Sequence, residues 1–168
     1  RVGEARVRCP GLELVRARHR TYVELHHRIV AAVERCLPVE AVHSIDEMAC
    51  RLGSGQHEPD EAVRLAMAVK RSIAEHAGEH LRCSIGLAPN RFLAKVGTEL
   101  QKPDGLTVIE RRELPNKLYS LKLTDLPGIG ARMHVRLAAA GVRTVPQLCA
   151  MPKPALRQAW GGVLGEWW

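Results

Sequence analysis

The sequence predicts an α+β protein, a partial sheet covered by helices and followed by a small all-helical unit. Three observations predict it. Segments rich in β-branched residues alternate with amphipathic helical segments up to about Glu110. After Glu110 no strand pattern recurs, and short helical stretches are broken by Pro and Gly. The charge changes at the same point. Residues 1–110 hold sixteen Lys/Arg against fifteen Asp/Glu, whereas residues 111–168 hold nine against three.

The elements follow in order. TYVELHHRIVAAVERC (21–36) places Val23, His26, Ile29, Val30 and Val33 on one stripe, an amphipathic helix that Pro38 ends. Val39 to Ile45 reads as a strand, and MACRL (48–52) continues or pairs with it. GSGQHEPD (53–60) is a turn, and two strands around a Gly-rich turn suggest an antiparallel pair. A second helix runs from Glu61 to about His76, and Gly78 closes it. LRCSIGL (81–87) is a strand, Pro89-Asn90 opens a helix through Leu100, KPDG (102–105) turns, and LTVIE (106–110) is a further strand. Beyond it, LPGIG, Gly141, Pro146, PKP (152–154) and Gly161-Gly162 punctuate short helices.

Composition narrows the class. The 168 residues suffice for one domain or one and a half, and an apolar share of 46% with only 4% aromatics implies an aliphatic core. No apolar run reaches the roughly 18 residues of a membrane span, and the basic N-terminus lacks a signal peptide's apolar stretch. Arg1 stands where an initiator Met would, and both ends are expected to continue into a longer protein. Five scattered cysteines without a CxxC pair point to reduced thiols in a cytoplasmic protein rather than a zinc site. The net charge of +7, concentrated in the last third, suits a polyanionic partner.

Three motifs carry possible chemistry. In HSIDEMACRL (43–52), Asp46 and Glu47 lie side by side in an apolar stretch. Adjacent residues of a regular strand face opposite ways, so the two can cooperate only at a strand end or bulge. Clustered carboxylates repel unless a cation joins them, and without one the pKa of one member should rise. Hard oxygen ligands favour Mg²⁺ or Mn²⁺. The stretch alone fits better a turn in which one acid faces solvent. In LTDLPGIGARMHVRLAAAGV (123–142), Gly128 and Gly130 precede a helix from Ala131, the pattern of a helix-hairpin-helix. Its outward N–H groups can hold a phosphate without reading a base, and Arg132, Arg136 and Arg143 add charge. An ordinary Pro-Gly helical turn is the alternative. Lys102, before a rigid Pro-Asp-Gly turn, can aim its ammonium at a phosphate.

In this order and spacing the motifs resemble the Y-family translesion DNA polymerases. SIDE (44–47) is similar to that family's palm motif. SIGLAPNRFLAKVGTELQKPDGLTVI (84–109) is similar, almost throughout, to its SIG…N-(K/R)…AK…KP-(D/N)-G segment. LPGIG (126–130) matches its thumb hairpin, WGGVLG (160–165) a later thumb element, and CPGLELVRARHRTY (9–22) the stretch leading from fingers to palm. The resemblance implies three parts: 1–22 the end of the fingers and a link, 23–118 a partial palm, and 119–168 a helix-hairpin-helix thumb. It implies DNA-directed nucleotidyl transfer in translesion synthesis and DNA repair. Asp46 and Glu47 would be two of three carboxylates holding two Mg²⁺ ions. Lys102 would contact the triphosphate of the incoming nucleotide. Gly128, Ile129, Gly130 and Arg132 would hold a DNA backbone phosphate, with Ser44 and Asn90 in support.

The implied partners are primer-template DNA, a deoxynucleoside triphosphate, and a sliding clamp or other repair polymerase subunits. The family's remaining metal-binding Asp, its steric gate and most of its fingers would lie upstream, and its little finger downstream. Residues 1–168 alone are therefore expected not to incorporate nucleotides. One departure stands out: Met48-Ala49-Cys50-Arg51 replaces the usual Ala-aromatic-Leu-Asp, placing an Arg within reach of the site or its rear strand. A non-catalytic accessory of the same fold is the alternative reading.

Overall fold

A computed structural model describes residues 1–161. Seven helices and two small two-stranded sheets make up its regular structure, a mixed α+β arrangement. Helix α1 (Val2–Arg8) is followed by an exposed segment, and neither adds a buried residue. Helix α2 (His19–Glu34) packs against α3 (Pro59–His76). Pro59 at the first position, with Asp60 and Glu61 in the first turn, suits the start of α3. The interface is aliphatic, as the low aromatic content demands: Ala32, Val33, Leu37, Val69, Ile73 and Ala77 form its core. A buried Ser72 hydroxyl donates to the Ala32 carbonyl at 2.7 Å and is thereby satisfied.

Strands β1 (Val39–Val42) and β2 (Met48–Cys50) form an antiparallel hairpin with an irregular step between Val39 and Ala41. The hairpin closes across His43–Glu47, not across the Gly-rich turn. His43 and Ser44 both donate their N–H to the Glu47 carbonyl, at 2.8 and 3.2 Å. The expected strand over 39–45 therefore stops at Val42, where the chain must reverse.

Strands β3 (Ile85–Leu87) and β4 (Leu106–Val108) pair in parallel, with Ile85 opposite Leu106 and Leu87 opposite Val108. Parallel neighbours need a crossover, and α4 (Arg91–Leu100) provides it. Asn90 caps α4 by accepting from the Leu93 N–H at 2.9 Å. The strand expected over 81–87 is shorter because the Cys83 carbonyl turns to Lys70. Helix α4 lies on β3 through two facing glycines. A Cβ on Gly86 would collide with the Ala94 carbonyl, and one on Gly97 would stand 3.1 Å from the Gly86 Cα.

After β4 the chain is helical. Short 3-10 turns at Arg111–Glu113, Asn116–Leu118 and Leu123–Asp125 lead to α5 (Ala131–Ala139), α6 (Val145–Cys149) and α7 (Lys153–Trp160). Their buried residues, among them Leu123, Ile129, Leu137 and Val145, form a second core. Leu93 and Val96 of α4 and Ile109 belong to it, so α4 joins the two halves. Residues 162–165 of the WGGVLG element lie outside the described residues. Among the described residues no helix is long and apolar enough to cross a membrane.

The glycine pair makes a stability prediction. Gly86→Ala should lower unfolding free energy by about 2 kcal/mol, because the colliding atom is backbone and cannot rotate away. Gly55→Ala, whose new Cβ meets open space, should change it by less than about 0.5 kcal/mol. Urea denaturation of the two variants beside wild type measures both.

Candidate functional site

The acidic pair occupies the turn of the β1–β2 hairpin, the place where adjacent residues escape strand alternation. Ser44 shapes that turn. Its hydroxyl donates to Asp46 Oδ1 at 2.5 Å and accepts from the Asp46 N–H at 3.4 Å. From α2, His26 Nδ1 lies 2.9 Å from the Ile45 carbonyl; a carbonyl only accepts, so this nitrogen carries the proton.

Helix α4 faces the turn with a cationic edge. Lys95 Nζ lies 2.9 Å from Glu47 Oε2 and 3.1 Å from Glu99 Oε1, and Lys102 Nζ lies 2.8 Å from Glu99 Oε2. The result is a ladder of alternating charge: Glu47, Lys95, Glu99, Lys102. The Ser44 hydroxyl bond, more than the Lys95 and Lys102 charges, holds the Asp46 carboxyl below its ordinary range. The upward shift expected of one member of the repelling pair thus does not fall on Asp46, because a hydroxyl and two ammonium groups favour its ionised form. Lys95 is raised, chiefly by its hydrogen bond to Glu47, and Glu99 is lowered, chiefly by Lys102.

Arg51, the departure noted in the sequence, points elsewhere. It pairs with Glu40 at 2.5 Å across the hairpin, at the end opposite the acidic turn.

The glycine loop comes to the same helix. Leu126 and Ile129 are buried and anchor it, while Gly128 and Gly130 between and beyond them are exposed. Gly128 has φ +87°, a conformation that favours glycine. Gly130 has φ −81° and serves as N-cap of α5, so glycine is not demanded there by its backbone. A Cβ on it would meet nothing within 4 Å. Arg132 is exposed in the first turn of α5, and Arg136 and Arg143 are also exposed. Between this loop and α4 lies a cleft of about 630 Å³, lined by Lys95 and Glu99 on one wall and Leu126 to Gly130 on the other.

The structure thus gathers Asp46, Glu47 and Lys102 around α4 and sets Gly128–Gly130 across one cleft from Lys95. Lys95 and Glu99 complete the arrangement and were not singled out from the sequence. Their signal was available as K-x3-E-x2-K over 95–102, spacings that stack charges on one helical face. Among the described residues no cluster of three or more metal-ligating side chains exists. Asp46 and Glu47 offer two adjacent carboxylates with hard oxygens, which fit part of a Mg²⁺ or Mn²⁺ shell. The cation now at Glu47 is the Lys95 ammonium.

The α+β frame thus ties an acidic hairpin turn to α4, whose Lys95 and Glu99 face a glycine loop across one cleft. Residues 1–99 match the model of the impB/mucB/samB family. The chain is 35% identical to DNA polymerase IV of Moorella thermoacetica over 96% of its own length and 40% of that protein's. It is 32% identical to DNA polymerase IV of Pseudomonas aeruginosa strain UCBPP-PA14, over 95% and 45% respectively. The crystal structure of DinB from Sulfolobus solfataricus superposes with a TM-score of 0.85 at 26% identity, over 99% of this chain and 48% of that one. An insertion ternary complex of Dbh DNA polymerase gives 0.86 at the same 26% identity, over 99% of this chain and 48% of that one. The chain belongs to the impB/mucB/samB family, in agreement with the Y-family resemblance of its motifs. It spans less than half the length of the relatives it matches.

The ladder predicts an acid-sensitive contribution to stability. Folding depresses the Asp46 and Glu99 carboxyls. Their contribution is therefore full above the ordinary carboxylate pKa and is lost as pH falls through the depressed values. In thermal melts, Glu99→Gln should lie below wild type at pH 7, and the gap should narrow as pH falls below the ordinary carboxylate range. A constant gap down to pH 3 would refute the ladder's role.

Proposed function

We propose that this chain supplies the palm (23–118) and helix-hairpin-helix thumb (119–168) of a DNA-directed DNA polymerase of the Y-family, acting in translesion synthesis and DNA repair, with residues 1–22 linking to fingers. The observation that supports it most is the cleft that sets Lys95 and Glu99, the middle of the Glu47–Lys95–Glu99–Lys102 ladder, across from the glycine loop. The relatives named DNA polymerase IV match this chain over at least nine-tenths of its length.

In this reading Asp46 and Glu47 hold the Mg²⁺ ions together with a third carboxylate. The bound ions supply charge stabilisation at the attacking and leaving oxygens of the phosphoryl displacement. Ser44 donates to Asp46 and favours its ionised form. Lys102 exchanges Glu99 for the triphosphate of the incoming deoxynucleotide, and Lys95 retains Glu99, so the acid is not left unpaired. Backbone N–H groups at Gly128 to Gly130 donate to a phosphate of primer-template DNA, and Arg132 adds a positive charge beside them. A sliding clamp or further repair polymerase subunits, and a cytoplasmic location, complete the proposal.

DNA binding by residues 1–168 tests the loop. Affinity should be weak and independent of sequence. With roughly 2 to 4 phosphate contacts, the slope of log K against log salt should be about −2 to −4. Gly128→Ala, which places a Cβ at φ +87°, should weaken binding in a low-salt fluorescence titration while the circular dichroism of the chain is kept. A flat salt response would exclude the basic segment as a DNA surface.

Primer extension tests the carboxylates in the protein that carries this chain. Asp46→Asn should slow nucleotide incorporation at least about a hundredfold, since metal-assisted charge stabilisation is worth several kcal/mol and about 1.4 kcal/mol is tenfold. DNA affinity should stay within about twofold of wild type, because phosphate contacts rather than the acid supply it. Undiminished incorporation would refute the role of Asp46, and no incorporation by the wild-type protein would leave the non-catalytic, DNA-binding reading in its place.

A further inference from the structure

Lys70 is spent entirely inside the protein. It projects from α3 with its side chain only 14% exposed. Its ammonium donates to the Cys83 carbonyl at 2.6 Å, to the Asp104 carbonyl at 2.9 Å, and to the Asp104 carboxylate. An ammonium has three donors, and these acceptors use all of them. Lys70 therefore has no donor left for a ligand, yet it lies where a lysine is costly unless fully paired.

What it fastens is the turn that carries Lys102. Asp104 adopts φ +57°, the one left-handed non-glycine residue among those described, and Lys70 grips both its backbone and its side chain. Arg82 stands 3.8 Å from the second Asp104 oxygen. The Ser84 hydroxyl closes the other side of the loop. It donates to the Gln101 carbonyl at 3.3 Å and accepts from the Gly105 N–H at 3.2 Å. Lys102 is thus flanked by tied residues, while its own side chain is 55% exposed and held only by Glu99. A flexible four-carbon stem delivers its charge to a fixed point only when its Cα is fixed.

We infer that Lys70 and Asp104 are positioning residues for Lys102: the ion pair between α3 and the 102–105 turn sets where the triphosphate-binding ammonium can reach. The inference rests on the proposed role of Lys102. It predicts coupling between two residues that do not touch each other and only one of which meets the nucleotide.

The test is the equilibrium affinity of a deoxynucleoside triphosphate for the protein bound to primer-template duplex. The variants are Lys102→Ala, Lys70→Met, Lys70→Arg and the Lys70→Met/Lys102→Ala pair. Lys70→Met should weaken nucleotide binding about five- to tenfold, the scale of a displaced positioning contact. DNA affinity should not change. Lys70→Arg, which keeps the cation and its donors, should stay within about twofold of wild type. The double variant should bind no more weakly than Lys102→Ala alone, because the effect of Lys70 passes through Lys102.

Wild-type nucleotide affinity in Lys70→Met, or additive losses in the double variant, would overturn the inference while leaving the role of Lys102 standing. An unchanged affinity in Lys102→Ala, or no nucleotide binding by wild type, would overturn that role and the inference with it. If Lys70→Met does not fold, Asp104→Asn decides. It keeps the carbonyl contact and loses the charge, so it should show a smaller loss that again vanishes in the Lys102→Ala background, and an unchanged affinity refutes the inference.

Discussion

Everything in the site depends on how closely α4 lies on β3. Two glycines, Gly86 and Gly97, permit that approach, because a side chain on either would meet backbone. The same helix then has to satisfy three surroundings at once. Its inner face touches the parallel strand pair, Leu93 and Val96 enter the second core, and Lys95 and Glu99 face the acidic turn and the cleft. A helix held a side chain's width further out would lose the 2.9 Å contact between Lys95 and Glu47 and widen the cleft to the glycine loop. Close packing therefore fixes the electrostatics, and not the other way round.

The electrostatics in turn answer how two neighbouring acids are accommodated. Repulsion between Asp46 and Glu47 is offset separately for each residue. Asp46 is served by a local hydroxyl two residues back, and Glu47 by an ammonium from another element. Lys95 is shared with Glu99, and Glu99 with Lys102, so a change at one end of the ladder is felt at the other. An exposed ion pair contributes little to stability. The value of this ladder lies in orientation: each charged side chain is held by its neighbour, and Lys95 and Glu99 are held at the wall of the cleft.

Much of this was legible in the sequence, for identifiable reasons. Helix α2 followed from apolar periodicity and α3 and α4 from Pro or Asn at their starts, and each formed within two residues of its expected start. The acidic pair could cooperate only at a strand end or bulge, because adjacent carboxylates on a regular strand diverge. The strand limits were less legible. Val39–Ile45 has uniform strand character, and only the hydrogen bonds to the Glu47 carbonyl decide that pairing stops at Val42. The Gly-rich stretch at 53–55 looked like the hairpin, yet it leads into α3. Lys95 and Glu99 were overlooked because a Lys/Glu spacing on a helix is common on solvent faces, and nothing local reveals that this face meets a turn forty-eight residues earlier.

Arg51 shows how register decides what a departure from a pattern leaves open. From the sequence it lay within reach of the site or of its rear strand. The hairpin register decides for the strand, since Val39 pairs with Cys50 and the turn lies at the opposite end. Arg51 meets Glu40 across the strands, and the new positive charge is neutralised where it stands. Distance along the chain was five residues from Asp46, but the hairpin converts those residues into separation along its axis. The acidic turn consequently answers to α2 and α4, through His26, Lys95 and Lys102, and not to the strand that follows it.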